Sequence, residues 1–306
     1  MMYALWRLTL RNWKVFVKDR ANVFFALLAP LIVLALYVLF LGRIQVDGLL
    51  ASLEGMGVDP SAEVEAAVQS FCDSWMLVGS LSCACITVPL CACGIMIQDK
   101  SRGISAEYLA SPLPRWLPAV SYFCAVVFAG LIIGGIVFGV CLVWLAVTGS
   151  WFLTAADVFG CLGTLVLSVL SSSTLLVFVV GFFRSQGAFT GLNVIFGTVV
   201  GFLIGAYMPI TYFPEGVQYF TLLIPGSYSA GLFRNFMMQG ALDNIASALP
   251  ASVGEPFADA LAAEFSMHFD FFGVAEIGPP VMAAVLAGAF LLFGALCVLV
   301  SALRRK

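Results

Sequence analysis

Nine cysteines and a single histidine stand out in this 306-residue chain as residues that could ligate a soft metal or act as nucleophile or base. Cys83/Cys85 and Cys91/Cys93 are the closest pairs, and thiolates favour Cu(I) or Zn. Residues two apart point to different sides of a helix, so each pair chelates poorly there. Cysteine as a small apolar packing residue is the stronger reading. Cys124, Cys141, Cys161 and Cys297 also fall in apolar stretches and only Cys72 lies near a boundary, which is no disulfide framework. His268 has no triad or zinc spacing around it and reads as a plain loop residue. The sequence holds no Gly-x-x-x-x-Gly-Lys-Ser/Thr loop, so P-loop binding of ATP is not expected in this chain.

The elements that position these residues are six uncharged stretches: Ala21–Gly42, Ser74–Gln98, Trp116–Ala156, Val158–Phe183, Ser185–Pro214 and Ile277–Leu303. A helix needs about 20 apolar residues to cross the hydrocarbon layer, so each suffices. The chain is 62% hydrophobic and 10% charged, which fits one membrane domain over residues 1–306. The expected fold is an all-α polytopic membrane protein with six transmembrane helices, at about 23–41, 75–97, 118–147, 155–183, 187–208 and 281–302. Ionisable residues inside the membrane normally mark proton-coupled transporters and voltage sensors. Their absence from these stretches argues against proton coupling and intramembrane proteolysis, and leaves a sodium site of carbonyls open.

The weakly polar fifth span carries Thr190, Asn193 and Thr198, with Gly197, Gly201 and Gly205 at spacing four. Small residues at that spacing let helix backbones approach closely, and an asparagine in lipid needs a partner. These six residues are the candidate pathway or dimer interface; interhelical glue is the alternative role of Asn193. In the fourth span, Ser171-Ser172-Ser173-Thr174 is expected to bond its own preceding turn.

Orientation follows from the basic residues. With the N-terminus inside, Arg7, Arg11, Lys14, Lys18, Arg20, Lys100, Arg102, Arg115, Arg184, Arg304, Arg305 and Lys306 are internal, which is 12 of the 14 Lys and Arg. Arg43 and Arg234 fall outside, so the positive-inside rule places both termini in the cytoplasm. Tyr3–Arg20 reads as an amphipathic helix in the inner interface. Met1–Arg20 is followed by no cleavage site, so the first span should stay as an anchor. Residues 42–74 form an acidic outer loop, in which Pro60-Ser61-Ala62-Glu63 looks like a helix start.

Asp99–Leu117 is the longest inner loop. A short helix-compatible run, Ile104–Ala110, ends at Ser111-Pro112-Leu113-Pro114-Arg115. After the fifth span, residues 209–280 form the largest outer region. Gly216–Ile224 and Ser227–Met238 are too short to span and suit re-entrant or interfacial helices. Pro256–Phe269 is a candidate helix with Phe257, Leu261, Phe265 and His268 on one side.

Taken in order, these features resemble the ABC type-2 permease family, the membrane subunits of ATP-binding-cassette exporters. The basic N-terminal helix, the loop from Asp99-Lys100-Ser101-Arg102-Gly103 to Glu107-Tyr108-Leu109-Ala110-Ser111-Pro112, the segment Ile224-Pro225-Gly226-Ser227-Tyr228 … Arg234 … Gly240 and the six-span order carry the resemblance. Gly226-Ser227 stands where the family more usually has Leu-Thr. The resemblance implies two permease copies, alike or related, on two cytoplasmic ATPase subunits that bind ATP and magnesium. No cofactor is expected in this chain, and no nucleic acid partner. It implies that Ile104–Ala110 is the coupling helix, with Asp99, Lys100, Arg102, Gly103, Glu107, Tyr108, Leu109, Ser111, Pro112 and Arg115 as coupling residues. The path would run between the two copies, lined largely by the second and fifth spans. The implied function is export of an amphiphilic substrate across the cytoplasmic membrane; a non-transporting assembly or regulatory subunit is the alternative.

The basic asymmetry makes a direct prediction. Cysteine-accessibility or reporter-fusion scanning should place Arg102 and Arg184 inside, and Glu54 and Asp259 outside. Arg102 on the outer face would refute the orientation.

Overall fold

The computed structural model describes residues 1–59, 61–111, 113–114, 116–271 and 275–303, without the side chains of residues 109, 270–271, 275–276 and 301–303. Pro60, Pro112, Arg115 and the Arg304-Arg305-Lys306 anchor lie outside the described residues.

Helix α1 (Met2–Lys18) is amphipathic, with Thr9, Asn12 and Phe16 buried. It breaks at Asp19, whose side chain accepts from the Asn22 amide and caps α2 (Arg20–Leu36). A π-turn at Tyr37–Leu41 then leads into α3 (Gly42–Gly55). Residues 20–55 are thus one interrupted helix, longer than the expected span at 23–41. The expected outer loop shrinks to a connection near 56–61, because Val46, Leu49 and Leu53 bury a helical stripe and α4 (Ala62–Ser101) starts at a Ser61 cap.

Helix α4 is the centre of the fold. Its 40 residues extend about 60 Å at the α-helical rise. Its most apolar stretch is 94% buried, against 17% for α8 (Gln186–Leu203) and 6% for α12 (Pro279–Leu303). Between α4 and α8 come the short α5 (Ile104–Ala110), α6 (Trp116–Thr148) and α7 (Ala155–Val180). Gly149, at φ +78°, makes the turn between α6 and α7, and a Thr154–Asp157 capping box starts α7. Thr174 bonds the Leu170 and Ser171 carbonyls as expected, whereas the buried Ser171 and Ser173 hydroxyls find no partner among the described residues.

Six helices, α2–α3, α4, α6, α7, α8 and α12, are long and apolar enough to cross a membrane. The chain is an all-α, multi-pass membrane protein. Its short β-ribbon, Phe269–Phe271 against Ala275–Ile277, is the exception among the described residues.

The fifth span ends earlier than expected, at Leu203 rather than 208. Gly205 adopts φ +70° and Tyr207 folds back, its amide bonding the Gly201 carbonyl. After a 3-10 turn come α9 (Glu215–Thr221), α10 (Pro225–Ala248) and α11 (Ala251–Glu264). Pro225 starts α10 instead of breaking it, since the first helical position needs no amide donor. Ser227–Met238 is therefore part of a 24-residue helix, packed against α4, α7 and α12. The helix expected at Pro256–Phe269 begins and ends five residues earlier. Phe265, just past its end, packs edge-on against Phe71 and Trp75.

The packing of α10 yields a stability prediction. A Cβ on Gly240 would sit 2.3 Å from the Phe152 carbonyl oxygen, a backbone atom that cannot step aside. Gly240→Ala should cost roughly 1–3 kcal/mol. Gly163→Ala, with nothing within 4 Å, should be neutral or mildly stabilising. Thermal unfolding in detergent checks both, and equal midpoints for the two variants would contradict this packing.

Candidate functional site

Two regions gather the candidate residues. The first is the basic end of α4. Asp99, only 1% exposed, receives both terminal nitrogens of Arg11, one through NH2 to Oδ1 at 2.9 Å and the other through NH1 to Oδ2. The Tyr122 hydroxyl donates to Oδ2 at 2.6 Å. A bidentate guanidinium with a further donor is what makes a buried carboxylate tolerable. The hydrogen bond to Asp99 holds the Arg11 guanidinium above its ordinary pKa. Beside it, the Asn12 amide donates to Ser121 Oγ at 3.3 Å. The N-terminal helix is thereby stitched to α4 and α6.

Lys100 reaches the other way. Its ammonium donates to the Gly181 and Phe183 carbonyls, each at 3.3 Å, at the C-terminal end of α7. A cation there is favoured by the helix dipole. Past these two anchors, Gly103 turns the chain at φ +79° and α5 begins. Arg102 and Glu107 are exposed on this segment. Tyr108 is half-buried, and burial pushes its phenol above the usual range. The Ser111 hydroxyl bonds the Tyr108 carbonyl at 2.7 Å and closes the short helix. Of the ten residues expected to couple, Asp99 and Lys100 thus hold the segment in place, while Arg102 and Glu107 are exposed to solvent. Pro112, Arg115 and the side chain of Leu109 lie outside the described residues.

The second region is α8. Thr190 and Thr198 are exposed and bond their own preceding turn, at 3.0 Å to the Gln186 and Val194 carbonyls. The Asn193 amide meets Cys91 Sγ of α4 at 3.4 Å, so its partner lies within the same chain. The three glycines do not form one open line. A Cβ on Gly201 would lie 2.3 Å from the Tyr207 ring, and Gly205 lies beyond the helix against Arg234. Gly197 has nothing within 4 Å, and the same holds for Gly187 and Gly191. The second span, expected to line a path with the fifth, is α4, which its own chain encloses.

Two polar centres were not foreseen. Arg234 is 1% exposed in α10. It donates through NH2 to the Ile204 and Gly205 carbonyls at 2.7 and 2.9 Å, and through NH1 to the Ser266 carbonyl at 3.3 Å. The first two carbonyls are those freed where α8 ends. Burial lowers this guanidinium to about 10, still charged at neutral pH. The signal was a lone charge in the apolar run Ser227–Met238. Asp73, expected in an acidic outer loop, is 4% exposed inside α4. It accepts from the Tyr37 hydroxyl at 3.0 Å, Gln69 at 2.9 Å and Ser150 at 3.4 Å.

Residues 3–238 match the model of one family, described as ABC-2 type transporter. The chain belongs to the ABC-2 type transporter family. No curated protein matches it. As an ABC-2 membrane domain it is a permease subunit of an ABC transporter, a transport component and not a catalytic one. The family generally works with an ATP-binding-cassette ATPase at the membrane. The match covers α1 to most of α10 and so includes both regions described above.

The Arg234 centre is testable in this ABC-2 domain. Arg234→Met keeps the bulk but leaves three buried carbonyls without donors, at about 1–3 kcal/mol for each group left unsatisfied. Arg234→Lys should recover part of the loss, since an ammonium cannot span all three. A wild-type melting temperature for Arg234→Met would contradict this role.

Proposed function

We propose that this chain is the permease subunit of an ATP-driven exporter, moving an amphiphilic substrate outward across the cytoplasmic membrane. Drugs, antibiotics, peptides and lipid-linked molecules share the required chemistry. ATP and magnesium act on a separate cytoplasmic ATPase, and two permease copies, identical or related, form the path. The observation that carries the reading is the mounting of α5. It is a seven-residue helix with Glu107 exposed, leaving α4 directly after the Asp99 and Lys100 anchors. A push on so short an element reaches the central helix without an intervening flexible loop. Arg102, Gly103, Glu107, Tyr108, Leu109, Ser111, Pro112 and Arg115 form the ATPase contact in this reading; Asp99 and Lys100 position it.

The surface offered to the second copy is α8. Thr190, Gly191, Val194, Thr198 and Phe202 are exposed along one side of it. With Gly187 and Gly197 open, this line supports close approach of a second helix. Gly201 and Gly205 serve the chain's own turn, and Asn193 serves its contact with α4. A regulatory subunit of the same family is separated from an exporter by turnover: co-purification with an ATPase whose hydrolysis rises with a candidate substrate supports export.

Coupling is tested at Glu107. Glu107→Lys should leave the permease folded and assembled with its ATPase while abolishing substrate-stimulated hydrolysis. Normal stimulation in a correctly assembled complex would count decisively against α5 as the coupling element.

A further inference from the structure

Helix α1 carries three different faces. Thr9, Asn12 and Phe16 are buried against the protein. Trp6 and Val17 are 57% and 44% exposed and form an apolar flank. Arg7, Arg11, Lys14 and Lys18 recur at intervals of four, three and four, which places all four cations on one stripe of the helix. They line a shallow open groove of about 270 Å³. Only Arg11 has its charge matched, by Asp99; Arg7, Lys14 and Lys18 have no carboxylate partner among the described residues.

Three cations without a carboxylate partner, of which Arg7 lies over the Tyr3 ring at 5.9 Å, beside an exposed apolar flank call for a ligand with an anion and a hydrocarbon part. A nucleic acid or an acidic protein segment would neutralise the stripe but leave Trp6 and Val17 in water. A bilayer of anionic phospholipid satisfies both faces at once. We propose that the basic stripe of α1 binds the phosphate headgroups of anionic phospholipid, and that Arg11, shared between this stripe and Asp99, makes the placement of α5 depend on that lipid. Arg11 faces the groove while gripping the residue five positions before α5. Lipid that holds α1 at the surface therefore holds the start of the Asp99–Ala110 segment. The site requires only that α1 lie on a bilayer, so it stands apart from the exporter reading.

The test uses the purified full chain. Native mass spectrometry with equal amounts of phosphatidylglycerol and phosphatidylcholine should show preferential retention of phosphatidylglycerol. The triple variant Arg7→Gln/Lys14→Gln/Lys18→Gln should lose roughly a hundredfold of that preference, at about fivefold for each charge. Arg7→Lys/Lys14→Arg/Lys18→Arg should keep it. If the triple variant does not fold, Lys14→Gln and Lys18→Gln singly should each show the smaller loss. Unchanged preference in the neutral variants overturns the site. Hydrogen exchange of Ile104–Ala110 should be slower in vesicles containing phosphatidylglycerol than in phosphatidylcholine alone, and Asp99→Asn should abolish the difference. Identical exchange of the wild type in both vesicles overturns the link to α5. Slowing produced by inorganic phosphate in phosphatidylcholine vesicles would indicate a free-anion site and overturn the lipid assignment.

Discussion

Hydrocarbon supplies no hydrogen-bond partner, so a charge or a broken backbone turn that lies within it must be satisfied by the chain itself. Three centres in this fold answer that constraint, each where a helix ends, bends or leaves its apolar stretch. Asp99, near the end of α4, is matched by Arg11 and Tyr122. The Ile204 and Gly205 carbonyls, orphaned where α8 stops, are taken by Arg234. Asp73, at the other end of the apolar part of α4, draws donors from Tyr37, Gln69 and Ser150. The π-turn at Tyr37–Leu41 belongs to the same solution, since it ends a regular helix at the residue that reaches Asp73. The apolar part of α4 can be enclosed because the carboxylates that bracket it, Asp73 and Asp99, are both partnered inside the protein.

The six apolar stretches and the short helix before Ser111 were legible because each is a local pattern: uncharged length, or a turn signal after a helical run. Boundaries set by packing were harder. The extension to Gly55 was written in Val46, Leu49, Leu50 and Leu53, but Arg43, Asp47 and Glu54 beside them suggested a loop. The stop at Leu203 depends on Gly205 and on an arginine 29 residues later, whose contact no local pattern announces. The Arg11–Asp99 pair joins positions 88 apart. Each member looked sufficient by itself: Arg11 as one of several basic residues of an interfacial helix, Asp99 as part of a charged loop. What sequence alone could have flagged is the cost of Arg234 in an apolar run, because an unpaired charge there demands a partner.

The contrast between α4 and α8 bears on how an ABC-2 domain divides its labour. A helix buried to 94% is fixed by its own chain, and it carries the polar anchors. A helix buried to 17% has most of its surface left for lipid or another chain. In the proposed reading the enclosed helix transmits and the exposed one meets the second copy. The Asn193–Cys91 contact then ties the two helices of one chain together.

The direction of that transmission follows from where the anchors sit. Arg11 and Tyr122 hold Asp99 from α1 and α6, while Lys100 holds the end of α7, so three helices converge on two adjacent residues of α4. Helix α5 begins four residues after Lys100, across a single left-handed glycine. In the proposed mechanism, a displacement of α5 by a partner at its exposed Glu107 side is shared by α1, α6 and α7, and cannot be absorbed by bending α4 alone. The far end of α4 is tied through Asp73 to the π-turn after α2 and to the α6–α7 hairpin. In that mechanism a helix held at both anchors passes motion from one membrane face to the other as a tilt, and α8, whose apolar stretch is only 17% buried, is the span that responds.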